Sequence, residues 1–568
     1  MRVLFVHPED QPQSVARSSM RWDLVIDLGI GGSHTSENWE RLFRCSVASI
    51  DFPCIASGSI RNALAQGLGF LVDKSGIDWW KVISMQYVQQ AYRIVALQKV
   101  VGLLGAQDEV FVSRPGFDSR VLRILLDRDV ACLPGKSRIQ QKMAKVYLRS
   151  RQLTAKQIKQ TLWDKYDSEH RLRAFLHPER AKCKNRVVLL PTAYINVTRM
   201  ALAYAETLSL NDFLLVAARS SGWAQTLPAN VAQADLAAYF HSNFDGEEYR
   251  ELRNGWEELK KSFRSLPILS ALLQGGSADR FTSDLRKWLR VRDAWANVME
   301  SEPVSEVLSC DDVNPYTHIA GLVAKQMGIR WVGSHHGALD GHYLIKECDA
   351  DLLLAKGEME SDYLQQCGVP ADRIEIGAPL RELPHKTARK KSSIVFFSED
   401  YEASGGRAED FYHDVLPPLA ELAEQSGKKL VIKLHPAESQ RDRRRIVRKV
   451  LSLRARQTVR LVCGPLTEEL MEEIWFACTV VSSAAVDCAV RGIPAFLFGW
   501  LENWPYGYVK QFAKFGVASK LSRPEDIANI PQLLEAFRPC DPNILWRSPA
   551  SHALQRMLAE EVAPVQVA

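Results

Sequence analysis

The chain has 568 residues, more than one hydrophobic core can organise, and its 46% hydrophobic, 9% aromatic and 24% charged residues exclude disordered, collagen-like and coiled-coil classes. Eleven cysteines without CxxC pairs argue against a disulfide framework and a zinc site and fit a reducing compartment. The start MRVLFVHPEDQP lacks a basic segment followed by a long apolar run, and no apolar stretch reaches membrane-spanning length, so a soluble cytoplasmic protein is expected.

Taken in chain order, short apolar runs followed by turn residues and a helical pattern predict βα units and parallel sheets. Strands are expected at 2–6, 23–29, 109–113, 186–191, 213–218, 305–310, 330–334 and 350–355, with a further one ending at Gly377-Ala378-Pro379, all in one N-terminal α/β domain over 1–380. Helical insertions or connections are expected within it near 136–182 and 245–300. The polar, basic stretch 381–392, broken by Pro384, reads as a linker. A second α/β domain follows over 393–540, with strands at 394–398, 430–434, 459–464, 478–483, 495–499 and 517–521, and then a C-terminal helix or tail over 541–568.

In open α/β sheets ligands bind at the carboxyl ends of strands, which singles out four loops of the second domain. Gly405, Gly406 and Arg407 in SEDYEASGGRAED offer backbone N–H groups and a cation to a phosphate. In VIKLHPAES, Pro436 ends a strand at His435 and is suited to a first helical position, aiming the imidazole out of the sheet edge. Ser482 and Ser483 in VVSSAAVDCAVRGIP are expected to end a strand and open a helix, with Asp487 one turn on. GPLTEEL offers Thr467 as a helix cap.

The pairing of a strand ending in His-Pro with a later strand ending in Ser-Ser before DCAVRGIP resembles the nucleotide-sugar domain of GT-B glycosyltransferases. It is similar above all to bacterial sialyltransferases and Kdo transferases of surface-polysaccharide synthesis, in which such motifs hold a CMP-sugar. CDP-glycerol transferases and UDP-GlcNAc 2-epimerases share parts of the signature. The resemblance covers 320–500 and implies two Rossmann-like domains facing a cleft, with no metal or other cofactor beyond the nucleotide-sugar co-substrate. It makes His435 a phosphate ligand and candidate acid, and Ser482 and Ser483 ligands of the same phosphate. Asp487 falls where many GT-B enzymes place a ribose-binding Glu. A lack of DxD after a strand also points to metal independence.

An inverting transfer needs a base for the acceptor hydroxyl. Strand ends in the first domain offer Asp27, Asp311, Asp312, His335 and His336, of which Asp312 and His336 are preferred. The expected activity is transfer of a sugar from a CMP-sugar to a glycan or lipid-linked acceptor. The alternatives are an epimerase or CDP-glycerol-transferase-like enzyme, or a non-catalytic GT-B glycan-binding protein. Residues 136–186 carry fifteen Lys or Arg against four acids. That stretch reads either as a solvated helical insertion or as a contact for an anionic membrane surface or lipid-linked acceptor. No recognition-helix or stacking motif accompanies it, so nucleic acid is not expected.

Overall fold

Strands buried on both faces need no polar alternation, and the apolar runs of this chain form three all-parallel sheets in the computed structural model. The structure describes residues 1–10, 12–16, 20–29, 39–50, 59–133, 173, 179–240, 246–311, 313–337, 347–380, 390–402, 406–501, 508–550 and 553–556. The first sheet contains β1 (Arg2–Val6), β2 (Leu24–Asp27), β3 (Ser46–Ser49), β4 (Glu109–Val112) and β5 (Ala131–Cys132), in the order β3-β2-β1-β4-β5. The second contains β6 (Val187–Thr192), β7 (Asp212–Ala217), β8 (Val231–Asp235), β9 (Val304–Ser309), β10 (Arg330–Ser334), β11 (Leu352–Ala355) and β12 (Ile374–Ile376), in the order β12-β11-β10-β9-β6-β7-β8. The third contains β13 (Ser393–Phe397), β14 (Lys429–Lys433), β15 (Val459–Val462), β16 (Ile474–Thr479), β17 (Ala495–Phe498) and β18 (Ser519–Leu521), in the order β15-β14-β13-β16-β17-β18.

Each sheet is doubly wound: its first strand lies between its second and its fourth. That arrangement opens a crevice at the carboxyl ends of first and fourth strands, where the connections leave in opposite directions. The crevices therefore fall between β1 and β4, β6 and β9, and β13 and β16.

The chain divides into two compact units. One comprises Met1–Cys54, Tyr92–Gly135 and Glu382–Leu545, and the other Ile55–Ala91, Lys136–Arg381 and Trp546–Ala568. The strands expected in one domain over 1–380 thus lie in two sheets, and the first sheet shares a unit with the third. Local βα rhythm marks strands but carries no information about which strands pair, and this is where the sequence reading needs correction. Strands β3, β5 and β8 were not foreseen; all three lie at sheet edges, where a short run with little apolar signal is enough.

Within the second unit, the expected helical stretch near 245–300 is three helices, Gly246–Phe263, Pro267–Gln274 and Phe281–Ser301. Trp80, Trp256, Phe263 and Phe281 pack together there, with the Trp256 and Phe281 rings stacked at 3.8 Å. The buried Arg292 ties these helices to an earlier loop through Asp73 at 2.6 Å and Glu248 at 2.8 Å. After residue 545 the chain rejoins this unit: Arg547 N–H donates to the Lys356 carbonyl, Trp546 Nε1 to the Pro379 carbonyl, and Leu554 is fully buried against the sheet core. Of the insertion expected at 136–182, only Arg173 and 179–182 lie among the described residues. Arg173 is buried, donating to Asp235 and to the carbonyls of Ala217 and Ala218. The expected linker 381–392 is described only from Lys390, whose N–H donates to the Glu472 carbonyl.

Candidate functional site

In the first unit, the loops after β13 and β16 flank their shared crevice, and the loop after β14 lies one strand away. Ser398 and Glu399 follow β13, His435 and Glu438 follow β14, and Thr479 to Ser483 follow β16. His435 is exposed, and its backbone N–H donates to Glu438 Oε2 at 2.7 Å. Its ring Nδ1 accepts from Ala437 N at 3.3 Å. A neutral imidazole that accepts at Nδ1 carries its proton at Nε2, so the exposed nitrogen is a donor. The proline explains the turn: Pro436 has no N–H and a fixed φ, so the next amide, that of Ala437, folds back onto the ring.

Pro436 does not begin a helix. Residues 435–438 form a turn closed by Glu438 N–H on the His435 carbonyl at 3.0 Å. The helix starts at Gln440 under a Ser439 cap whose hydroxyl accepts from Asp442 N. Glu438 anchors this turn: buried, it also accepts from Ser398 Oγ at 2.7 Å and from Arg443 Nε at 2.6 Å. Lys433 donates to the carbonyls of Leu434 and Gly464, and burial lowers its pKa.

On the other flank, β16 ends at Thr479, three residues before the Ser-Ser pair expected to end it. The run from Ile474 to Val481 is continuously apolar but for Thr479, so pattern alone does not set the strand's limits. Glu399 reaches into this loop. Its Oε1 accepts from Thr479 Oγ1 at 2.9 Å and Val481 N at 2.8 Å. Burial pushes its carboxyl up to about 7, against hydrogen bonds from Val481, Thr479 and Ser482 that pull it down. Ser482 N–H donates to Thr479 Oγ1 at 3.1 Å, and Ser482 Oγ accepts from Ala484 N at 3.3 Å. Ser483 is the N-cap of Ala484–Val490 by position only; its hydroxyl makes no capping bond. Asp487 lies on that helix with its carboxylate 4.0 Å from Arg491.

Arg407 departs from its expected role. All five guanidinium N–H groups have acceptors: Nε on the Pro8 carbonyl at 2.9 Å, Nη1 on Asp27 at 2.6 Å and Asp410 at 3.5 Å, Nη2 on Asp27 at 2.8 Å and the His7 carbonyl at 3.3 Å. The guanidinium also lies 4.7 Å from the centre of the Trp39 ring. With no donor left for a phosphate, it is a clamp joining the third sheet's first helix to the carboxyl ends of β1 and β2. Asp27, one of the base candidates, is the other half of that clamp and is 1% exposed. Gly406 is buried, its N–H on the Tyr401 carbonyl; Gly405 lies outside the described residues. A second His-Pro turn sits at the end of β1: His7 Nδ1 accepts from Glu9 N at 3.1 Å, repeating the His435 geometry. Its Nε2 faces Asp118 at 3.8 Å, and burial lowers its pKa.

In the second unit, the crevice between β6 and β9 holds another group. Tyr194, just after β6, donates its hydroxyl to Asp311 Oδ2 at 2.7 Å, just after β9. The same oxygen lies 3.3 Å from His336 Nε2, after β10. His336 Nδ1 lies 3.3 Å from the Cys310 carbonyl. The Tyr194 hydroxyl donates to the carboxylate, and because a carbonyl only accepts, a neutral His336 facing the Cys310 carbonyl through Nδ1 carries its proton there and keeps the lone pair at Nε2. The other Asp311 oxygen caps its own turn, accepting from Val313 N at 2.9 Å and Asn314 N at 3.4 Å. Lys356, after β11, holds the His335-His336-Gly337 turn by donating to the carbonyls of His335 and Gly337, and pairs with Glu360. A cavity of about 350 Å³ opens here, lined by Met85, Gln86, Tyr194, Asp311, His335 and His336 among others. Asp312 lies outside the described residues.

The residues that sequence reasoning missed are Glu399 and Tyr194. Glu399 and Tyr194 each follow the first strand of a doubly wound sheet, a position that could have been flagged had the strand order been known.

No family model and no curated protein matches the chain. Among solved structures, it is similar to the UDP-GlcNAc 2-epimerase of Neisseria meningitidis bound to UDP-GlcNAc, at 12% identity and a TM-score of 0.40 over 66% of this chain and 99% of that one. It is also similar to the UDP-GlcNAc 2-epimerase of Methanocaldococcus jannaschii, at 11% and 0.42 over 66% and 98%. An Anabaena protein crystallised with UDP and glucose matches at 11% and 0.39 over 66% and 95%.

Proposed function

We propose that the protein is a GT-B type glycosyltransferase that takes a sugar from a nucleotide-sugar donor, with a CMP-sugar as the first donor to test. The observation that carries this reading is the His435 turn. Its Nδ1 is satisfied by the protein's own backbone, which leaves an exposed Nε2–H at the carboxyl end of β14, one strand from the β13–β16 crevice. A donor there suits the phosphate oxygen that takes the electron pair when the anomeric C–O bond breaks. The Ser483 hydroxyl, with no partner among the described residues, suits the same anion, as does the Ser482 hydroxyl as a donor.

The acceptor is proposed to be a hydroxyl of a glycan or lipid-linked sugar. As the new glycosidic bond forms, that hydroxyl must release its proton, and His336, oriented by Tyr194 and Asp311, is the proposed base. Calorimetry with CMP, CDP, UDP and GDP, followed by transfer assays on the preferred donor, tests the proposal. His435→Ala should lower transfer by about 10²-fold or more, as loss of an oxyanion donor does. Ser482→Ala with Ser483→Ala should chiefly weaken nucleotide binding. Unchanged activity in both variants refutes it, and conversion of the nucleotide sugar with no acceptor present would reassign the protein as an epimerase.

A further inference from the structure

The helix Gln440–Val450 and the turn after it, to Arg456, carry eight Lys or Arg against a single acid, Asp442. The structure accounts for four of these cations. Arg443 is buried on Glu438 and Glu402, Lys449 pairs with Glu409, Arg454 pairs with Glu424, and Arg456 donates to the carbonyls of Leu451 and Arg448. The other four, Arg441, Arg444, Arg445 and Arg448, are exposed, and their guanidinium groups have no partner among the described residues.

Their spacing is i, i+3, i+4 and i+7, so they share one face of the helix, turned away from the side that carries the buried Arg443 and Val447. Like charges at these spacings weaken a helix rather than support it, and local stability therefore gives no reason for the stripe. In the turn that follows the helix, Leu453 is 78% exposed. A bare leucine gains nothing from a hydrated soluble polyanion but does gain from the acyl boundary of a bilayer, where basic residues and an apolar side chain act together.

We infer that the Arg441, Arg444, Arg445 and Arg448 face is the surface by which this protein docks on an anionic membrane. No described helix is long and apolar enough to cross a bilayer, so the contact is peripheral. The site is distinct from the basic stretch 136–186 and does not depend on the catalytic reading.

The test is sedimentation of the full-length chain with vesicles of phosphatidylcholine alone and with phosphatidylglycerol added. The wild type and the Arg441→Gln, Arg444→Gln, Arg445→Gln, Arg448→Gln variant are compared, with equal melting temperatures as the control for folding. Each arginine near an anionic surface is worth roughly fivefold in partitioning, so the variant should bind the anionic vesicles several-hundredfold more weakly on the order-of-magnitude scale. Wild-type binding should fall steeply with added salt and be absent on phosphatidylcholine alone. Leu453→Asn, which leaves every charge in place, should weaken anionic-vesicle binding while leaving dextran sulfate binding unchanged. The inference is overturned if the wild type does not sediment with anionic vesicles, or if the four-glutamine variant sediments as well as the wild type. Equal losses on vesicles and on dextran sulfate in the Leu453→Asn variant overturn it too, assigning the face to a soluble polyanion.

Discussion

Replacing Asp27 with alanine should destabilise the first unit by about 3 to 5 kcal/mol, the cost of leaving one charge of a buried pair uncompensated. The pair qualifies as buried because Asp27 is 1% and Arg407 10% exposed at the side chain. The contacts at 2.6 and 2.8 Å are bidentate, and the substitution also strands the Gly29 N–H, which donates to Asp27 Oδ1 at 2.7 Å. For a body of this size about 2 to 4 °C accompanies each kcal/mol, so melting should fall by about 10 °C. The double variant Asp27→Ala, Arg407→Met removes both charges and should recover most of that loss, since paired replacement of a buried ion pair by apolar groups is often near neutral. About 1 to 2 kcal/mol should remain for the stranded amide. Differential scanning calorimetry measures all three proteins, and nucleotide titration of the double variant separates the two roles of Arg407. If Asp27→Ala melts within a degree or two of wild type, or if the double variant is as stable as wild type yet loses nucleotide affinity, the clamp assignment is wrong and Arg407 is a phosphate ligand after all.

Glu399 should make stability fall with rising pH. Its folded value of about 7 lies above the ordinary 4.5, so the folded chain holds the proton more tightly than the unfolded one. The favourable contribution is complete below pH ~4.5 and is lost as pH approaches ~7. Glu399→Gln removes this titration, so the melting temperature of the variant relative to wild type should rise between pH 5 and 8 on the order of several degrees; a constant difference would show that the group does not titrate there. Tyr194→Phe breaks the link between Asp311 and His336 and should lower kcat while sparing donor KM and shift the pH profile. His336→Gln should lower kcat by about 10²-fold or more, and a change confined to KM would count against a proton-transfer role. Glu438→Ala leaves Arg443 facing Glu402 alone and frees the His435 turn. Nucleotide affinity and melting temperature should therefore fall together, and loss of neither would mean that His435 is held by other means.

Much of the architecture was legible in the residues. Continuous apolar runs ending in polar or Gly/Pro turns marked most strands within a residue or two, because a strand covered on both faces must be apolar throughout. The His435-Pro436 turn was legible as well: a proline after a histidine at a strand end constrains the backbone whatever surrounds it. Local signals of this kind depend on torsion preferences and burial periodicity, which act over a few residues.

The partners of the charged groups were decided only by the tertiary structure. Gly-Gly-Arg before a helix has the local form of an anion loop, yet Arg407 is saturated by a carboxylate 380 residues earlier in the chain and by two backbone carbonyls beside it. Tyr194 meets Asp311 across 117 residues, and Glu399 meets Thr479 across 80, because the strand orders bring first and fourth strands together. A charge is neutralised by whatever the fold places within a few ångströms of it. The sequence by itself determined most of the strands and the turn that carries His435. The pairing of strands, and through it the fate of Arg407, Glu399 and Asp311, was set by long-range packing that no local pattern encodes.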